Sequence, residues 1–128
     1  MLALHSGWVF GAKTDFRLAR DPDVVLGPDV AFVRAERVPP TDPFLELAPD
    51  LVVEIVSPTD RPADMRAGVQ AYLRHAVQLL LVVEPRRQQV TVHWPEQPLR
   101  LLNAGEDLDG QEVLPGFRLP LTELFASF

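Results

Sequence analysis

Residues 51–58 read LVVEIVSP, and this stretch decides the fold. The six residues before the serine are apolar except for Glu54, a pattern typical of a strand buried on both faces of a sheet. Side chains alternate between the faces of a strand, so Glu54 shares its face with Val52 and Val56. A carboxylate in that setting is costly unless it is paired, hydrogen-bonded or bound to a cation. The stretch therefore predicts the centre of a sheet and an unusual acid within it.

The residues after this strand predict a βαβ unit. Thr59 or Asp60 can cap a helix whose first turn contains Pro62. Residues 79–83, LLLVV, predict a second fully buried strand, parallel to the first. Between them runs one apolar stripe at helical spacing, made of Met65, Val69, Tyr72, Leu73 and Ala76.

Shorter elements flank this unit and complete the predicted fold. Residues 14–18 alternate and precede a turn signal at 20–23, which favours a hairpin with residues 30–33. Residues 39–43 predict a proline-rich surface loop. Later segments predict antiparallel strands and a short helix packed on the sheet, at 90–94, 99–102 and 121–125. The fold class is α/β, a mixed β-sheet with a βαβ unit and few helices.

Composition predicts one small cytoplasmic domain over residues 1–128. The chain has 128 residues, no cysteine and a formal net charge of -6. Disulfide scaffolds, thiolate zinc sites and cysteine nucleophiles are excluded, and no apolar run is long enough for a membrane-spanning helix. An acidic chain supplies little of the charge that drives non-specific nucleic-acid binding, although a local basic groove can sit on an acidic body.

Asp29 and Glu54 are the candidate metal ligands. Both carboxylates fall on predicted strands, and two acids on neighbouring strands can hold one hard divalent cation such as Mg²⁺. A simpler interpretation remains open at this point. Glu54 can pair with an arginine such as Arg61 or Arg66, and Asp29 can cap a turn.

Two segments in a fixed order carry a family resemblance. Residues 28–33 read PDVAFV and residues 49–58 read PDLVVEIVSP. Similarity continues through Asp64, the strand at 79–85 and residues 113–117, VLPGF. Together they resemble the Uma-type (Uma-two) family, a bacterial family of unknown function grouped with restriction endonucleases. That resemblance implies the fold of the PD-(D/E)XK nuclease superfamily.

The resemblance also implies a chemistry. Asp29 matches the motif aspartate and Glu54 the acidic (D/E) position, so both would bind Mg²⁺ or Mn²⁺, with DNA as the substrate. The metal would polarise the scissile phosphate and lower the pKa of an attacking water. A lysine normally positions that water or stabilises the developing charge.

The chain departs from the family pattern at that lysine. Two residues after Glu54 stands Val56, and the helical position that carries the lysine in the Uma-type family is Gly68, four residues before Tyr72. Residues four apart share a helix face, so Tyr72 is expected at the site. Arg61, nearly two turns before Gly68, is the candidate substitute cation, although arginine stays protonated and is a poor general base.

The second departure is at the N-terminus. Family members carry an N-terminal helical region that adds an acidic ligand, whereas this chain starts almost at the first strand. We expect a domain without that region, with an apolar sheet face left uncovered. Such a face favours a homodimer.

Three hypotheses follow. The first is a degenerate nuclease-like domain, catalytically weak or inactive because of Gly68. The second is an active Mg²⁺-dependent endonuclease with a substitute basic residue. The third is an unrelated α/β protein with coincidental motifs. This hypothesis would fail if Asp29 and Glu54 lay side by side on adjacent strands. Arg86 and Arg87 follow Pro85, and we interpret them as a solvated hairpin tip in preference to a phosphate-binding site.

Overall fold

A computed structural model describes residues 2–4, 7–37 and 44–128. The predicted loop at 39–43 lies outside these residues. The described residues form, in chain order, β1 (Leu2–Leu4), β2 (Gly7–Phe10), β3 (Asp15–Ala19), β4 (Val24–Leu26), β5 (Val30–Arg34), β6 (Phe44–Leu45), β7 (Leu51–Ile55), α1 (Pro62–Arg74), β8 (Leu79–Glu84), β9 (Gln89–His93), β10 (Arg100–Leu102), β11 (Asp107–Asp109), β12 (Arg118–Pro120) and α2 (Leu121–Ala126).

One mixed sheet of seven strands organises the molecule. Its order is β1-β2-β5-β7-β8-β9-β10. β7 lies at its centre, antiparallel to β5 and parallel to β8, and the other pairs of neighbours in this sheet are antiparallel. Because α1 connects β7 to β8, the predicted βαβ unit is confirmed. The α/β fold class is confirmed with it.

The two faces of this sheet belong to different clusters of apolar side chains. On one face, Val52 and Leu80 pack with Val69 and Tyr72 of α1. The other face packs with side chains of the C-terminal segment, including α2. A fully buried leucine contributes about 2 kcal/mol by leaving water, so Leu80→Ala, which also opens a cavity, should cost about 3 kcal/mol. Both faces of the central strands are covered within this chain, so the expectation of an uncovered apolar sheet face is wrong.

The prediction that residues 14–18 form a hairpin with residues 30–33 is wrong. β3 pairs with β4, whereas β5 lies in the main sheet between β2 and β7. The burial of three successive side chains explains the difference, because Ala31, Phe32 and Val33 are all buried. A strand buried on both faces has to lie inside a sheet.

Helix α1 starts later than the capping prediction placed it. Its N-cap is Arg61, which has extended backbone angles and makes no side-chain capping bond, and Pro62 occupies the first turn as expected. Asp60 instead accepts a hydrogen bond from the Ser57 backbone N–H at 2.8 Å. Ala76 lies past the end of the helix with a φ of 72°. Of the two helices that the structure describes, neither has the length and apolar character needed to cross a bilayer.

Candidate active site

Asp29 directly precedes β5, and Glu54 lies on the neighbouring strand β7. The β5–β7 register pairs Val30 with Val53, and continuing it by one residue places Asp29 opposite Glu54. The backbone N–H of Ile55 donates to Asp29 Oδ2 at 2.7 Å, which ties Asp29 to the residue after Glu54. The arrangement brings the two predicted metal ligands together at one point of the central sheet.

Tyr72 links the helix to this acid pair. Its side chain is 2% exposed, and its hydroxyl donates to Glu54 Oε1 at 2.8 Å. A hydrogen bond to a charged acceptor is stronger than one between neutral groups. The helix α1 therefore holds one oxygen of Glu54 in a defined position.

The electrostatics of this cluster disfavour a negative charge on Glu54. Burial raises the pKa of Glu54 from 4.5 to about 7, the hydrogen bond from Tyr72 opposes that rise, and the charges of Asp29 and Asp60 add to it. Burial, followed by the proximity of Glu54, raises the pKa of the Tyr72 phenol. Tyr72 consequently stays protonated at neutral pH and acts as a hydrogen-bond donor to Glu54, not as a base.

A small pocket opens beside Glu54. Its volume is about 160 Å³, and it is lined by Leu26, Gly27, Glu54, Asp64, Met65, Gly68, Val69 and Tyr72. The spacing of Asp64, Gly68 and Tyr72 on one helix face places them at this pocket. A Cβ atom added to Gly68 would meet nothing within 4 Å. None of the residues that line the pocket is a lysine or an arginine.

The arginines of α1 are not partners of Glu54. Arg61 is the exposed N-cap residue and Arg66 is also exposed. Among the ion pairs of residues 2–4, 7–37 and 44–128, none joins Glu54 to either arginine. The pairing that would have made Glu54 a purely structural acid is absent from the described part of the chain.

The donor set fits a hard divalent cation. The bonds from Ile55 and Tyr72 use one oxygen of each carboxylate, and the second oxygen of each is not used by them. Two neighbouring acids, one of them half-buried, with no basic residue at their pocket, would be stabilised by a cation that both carboxylates bind. The described residues contain no group of three or more His, Asp or Glu placed for a metal. A cation here would keep several waters, as Mg²⁺ commonly does.

A larger cavity of about 510 Å³ lies near the start of β8, where Arg34, Leu79 and Trp94 line it. Glu54 lies beside Val82, further along β8. The larger cavity holds one carboxylate, Glu112, and no acid pair. Its size therefore does not make it the site of metal chemistry.

Two features of the site were not predicted from the sequence. Leu26, the last residue of β4, and Gly27, which follows it, line the pocket. They were not predicted because the sequence analysis paired β3 with the wrong strand. Asp60, expected as a helix cap, contributes charge at Glu54. Because Asp60 precedes the N-cap Arg61, helical spacing does not relate it to Asp64, and no local signal indicated this role.

The fold and the acid pair define a class, the restriction-endonuclease-like α/β domains. The particular family follows from the sequence, since the Uma2 family model, described as "Putative restriction endonuclease", matches residues 2–122. The chain belongs to this family, and the predicted resemblance is confirmed.

A solved structure supports the fold independently. A crystal structure described as a putative nuclease belonging to DUF820, from Anabaena variabilis ATCC 29413, is similar with a TM-score of 0.79. The sequences are 21% identical, and the match covers 92% of this chain and 67% of the other. At that identity the likeness shows the fold alone. No curated protein matches the sequence significantly.

Proposed function

We propose that this protein is a divalent-cation-binding, nuclease-like domain whose hydrolysis of DNA phosphodiesters is weak or absent. Family and fold support a nuclease-like function. The observation that carries the finer proposal is the pocket beside Glu54, where Gly68 occupies the position of the family lysine and no lining residue is a lysine or an arginine.

Asp29 and Glu54 are the proposed ligands of Mg²⁺ or Mn²⁺. When bound, the cation would polarise a phosphate and lower the pKa of a water. The Ile55 N–H orients Asp29, and the Tyr72 hydroxyl orients Glu54. Because both contacts hold the ligands before a cation arrives, little side-chain freedom is lost on binding.

Gly68 removes a positive charge from the place where one is needed. A lysine stabilises negative charge that develops on the phosphate and helps to position water. Losing one such donor typically costs a factor of about 10² to 10³ in rate. A Cβ atom added at Gly68 meets nothing within 4 Å, so a side chain can start there without displacing a neighbour.

The second candidate function is an active endonuclease in which Arg61 replaces the lysine. Its support is that Arg61 precedes α1, is exposed and forms no ion pair within the described residues. A guanidinium can stabilise charge on a phosphate but does not accept a proton near neutral pH. In this case the parent protein cleaves DNA, and Arg61→Gln reduces the rate at least tenfold.

The test is cleavage of supercoiled DNA with Mg²⁺ or Mn²⁺. We expect little cleavage by the parent and by Gly68→Met, strong cleavage by Gly68→Lys, and none by Gly68→Lys combined with Glu54→Ala. Gly68→Met is the matched control, since it adds a side chain of similar length without charge. Robust cutting by the parent that Glu54→Ala abolishes would contradict the inactive-domain proposal and favour Arg61. If Gly68→Lys cleaves no DNA with either metal, the absence of a lysine at residue 68 does not explain the weak activity.

We also propose a cytoplasmic homodimer. Its support is the sheet edge at β10, next to which Leu99 is 58% exposed and on which Leu101 is 45% exposed. An edge strand with exposed leucines can pair with another copy of itself. Sedimentation of the parent should show a dimer that Leu101→Glu dissociates. A monomeric parent at micromolar concentration would rule it out.

A further inference from the structure

The carboxyl ends of β7 and β8 form a second cavity close to the acid pair. It has a volume of about 260 Å³ and is lined by Val56, Ser57, Pro58, Pro62, Glu84, Pro85, Arg86 and Arg87. Val56 follows Glu54 by two residues and packs in the same cluster as Tyr72. Because two strand residues span about 7 Å, this cavity begins about that far from Glu54.

Arg86 and Arg87 bring free positive charge to this cavity. Both are exposed, and no ion pair of the described residues includes either one. Arg37 and Arg118 show the contrast, since acidic side chains neutralise both. Glu84 offsets one of the two charges at the cavity. A net positive cavity on a chain of charge -6 indicates a ligand that is itself negative.

Prolines restrict the backbone of the cavity wall. Pro58, Pro62 and Pro85 form part of its wall, and proline fixes its own backbone φ. Ser57 is held by two contacts, a backbone N–H bond to Asp60 at 2.8 Å and a hydroxyl contact with Thr59 at 2.9 Å. Fixed walls lower the entropy lost when a ligand is bound.

We propose that this cavity, through Arg86, Arg87 and the Ser57 hydroxyl, binds a backbone phosphate of duplex DNA. Guanidinium groups bind phosphate oxygens in a bidentate manner, and a hydroxyl adds a third donor. Each DNA strand carries one phosphate per 3.4 Å of helix axis. A separation of about 7 Å along β7 therefore places the bound phosphate one or two nucleotides from the one at the acid pair.

This inference rests on the proposed function for its choice of DNA. It goes further by assigning a docking contact outside the metal site. Arg86 and Arg87 lie exposed in the turn between β8 and β9, as expected for a hairpin tip, and this tip lines a cavity that the sequence did not predict. The contact requires no catalysis, so binding by a domain without the lysine tests it directly.

The experiment measures binding of a fluorescent DNA duplex in EDTA as a function of NaCl. The test variant is Arg86→Gln/Arg87→Gln. The control is Arg66→Gln/Arg74→Gln, which removes the same charge from two exposed arginines of α1 that do not line the cavity. In the test variant, we expect the negative slope of log affinity against log salt to become smaller in magnitude by about 1.8, which is about 0.9 for each lost contact. The control should change that slope by less than about 0.5.

Arg86→Lys/Arg87→Lys provides the second variant. It keeps the charge and loses the bidentate geometry, so we expect the parent slope with affinity weakened several-fold. Equal slopes for test and control variants, or a parent that binds no DNA at 20 mM NaCl, would overturn the proposal. Metal stabilisation is measured separately on the same proteins. If metal does not stabilise the parent but the arginine variant still changes the salt dependence of DNA binding, the nuclease-like proposal is wrong and the proposed phosphate site is supported.

Discussion

Each end of β7 has an acidic side chain, and the two acids have opposite kinds of neighbours. Asp50, just before the strand, is 7% exposed, and its two oxygens accept hydrogen bonds from the Arg34 backbone N–H at 2.7 Å and from Arg37 Nη1 at 3.0 Å. Glu54, near the other end, accepts a hydrogen bond from Tyr72 and lies beside a second acid, Asp29. One carboxylate is paired with an arginine of the protein, whereas the other lies beside a second acid and has no basic residue at its pocket.

Burial alone does not distinguish these acids, because Asp50 is the more deeply buried of the two. The difference lies in their partners. A carboxylate bonded to an N–H group and a guanidinium is stable as an anion and holds the structure together. A half-buried carboxylate whose pKa is about 7 at a pocket without a basic residue is a candidate binding site.

The largest effect is expected at the structural end. Asp50→Ala leaves the Arg34 N–H and the Arg37 guanidinium without their acceptor, so unfolding free energy should fall by about 3 kcal/mol. Urea unfolding measures it. Asp107→Ala, which breaks an exposed pair with Arg118, is the control and should cost under about 1 kcal/mol. Equal losses in both variants would remove the distinction between the two ends.

The next effect concerns the binding end. Mg²⁺ or Mn²⁺ at one hundred times its dissociation constant should stabilise the parent by about 2.7 kcal/mol. Asp29→Asn and Glu54→Gln should each abolish that gain, whereas Asp109→Asn, at an exposed acid on β11, should retain it. Thermal unfolding with and without metal is the measurement. Full stabilisation of Glu54→Gln would show that the cation binds elsewhere.

The third prediction uses pH in the absence of metal. Burial raises the pKa of Glu54 from 4.5 to about 7, so between these values the folded protein binds more protons than the unfolded chain. The contribution of protonated Glu54 to the free energy of unfolding is therefore present below about pH 4.5 and is lost as the pH rises through about 7. Allowing for partial exposure, Glu54→Gln should be about 1 to 2 kcal/mol more stable than the parent at pH 8.

The control for that measurement is Glu96→Gln, at an exposed position. It should leave the pH dependence of stability unchanged between pH 5 and pH 8. If Glu54→Gln and the parent follow the same curve in EDTA, the Glu54 carboxylate is no more costly than a surface acid. The contrast with Asp50 would then fail.

The smallest effect is expected at Gly68. Glycine costs a helix about 1 kcal/mol relative to alanine, and an added Cβ meets open space. Gly68→Ala should therefore stabilise the fold by about 0.5 to 1 kcal/mol without restoring DNA cleavage. Destabilisation in urea would show that the backbone at this position requires glycine.

Much of the central architecture followed from the chain itself. The run around Glu54 and the run that became β8 are dense in branched apolar residues, and such runs identify buried strands without knowledge of their neighbours. Helical spacing of Val69 and Tyr72 predicted the face of α1 that packs on them. The hairpin of β3 was misassigned because alternation identifies a strand but not its partner.

The candidate site was predictable only in part. Pro28-Asp29 and Pro49-Asp50 are identical dipeptides before buried strands, and nothing local separates their roles. Family resemblance pointed to Asp29, and the register of β5 on β7 placed it opposite Glu54. Asp50 contacts Arg34 and Arg37 because β5 and β7 are neighbours in the sheet.

The sequence by itself determined the class of fold and the acid in the central strand. These are properties of residue type and short-range spacing, which periodicity reports directly. Tertiary structure alone decided which acid is neutralised, that Tyr72 binds Glu54, and that Arg86 and Arg87 meet Ser57 at one cavity. Those outcomes depend on strand order and register, which join residues far apart in the chain and leave no local signal.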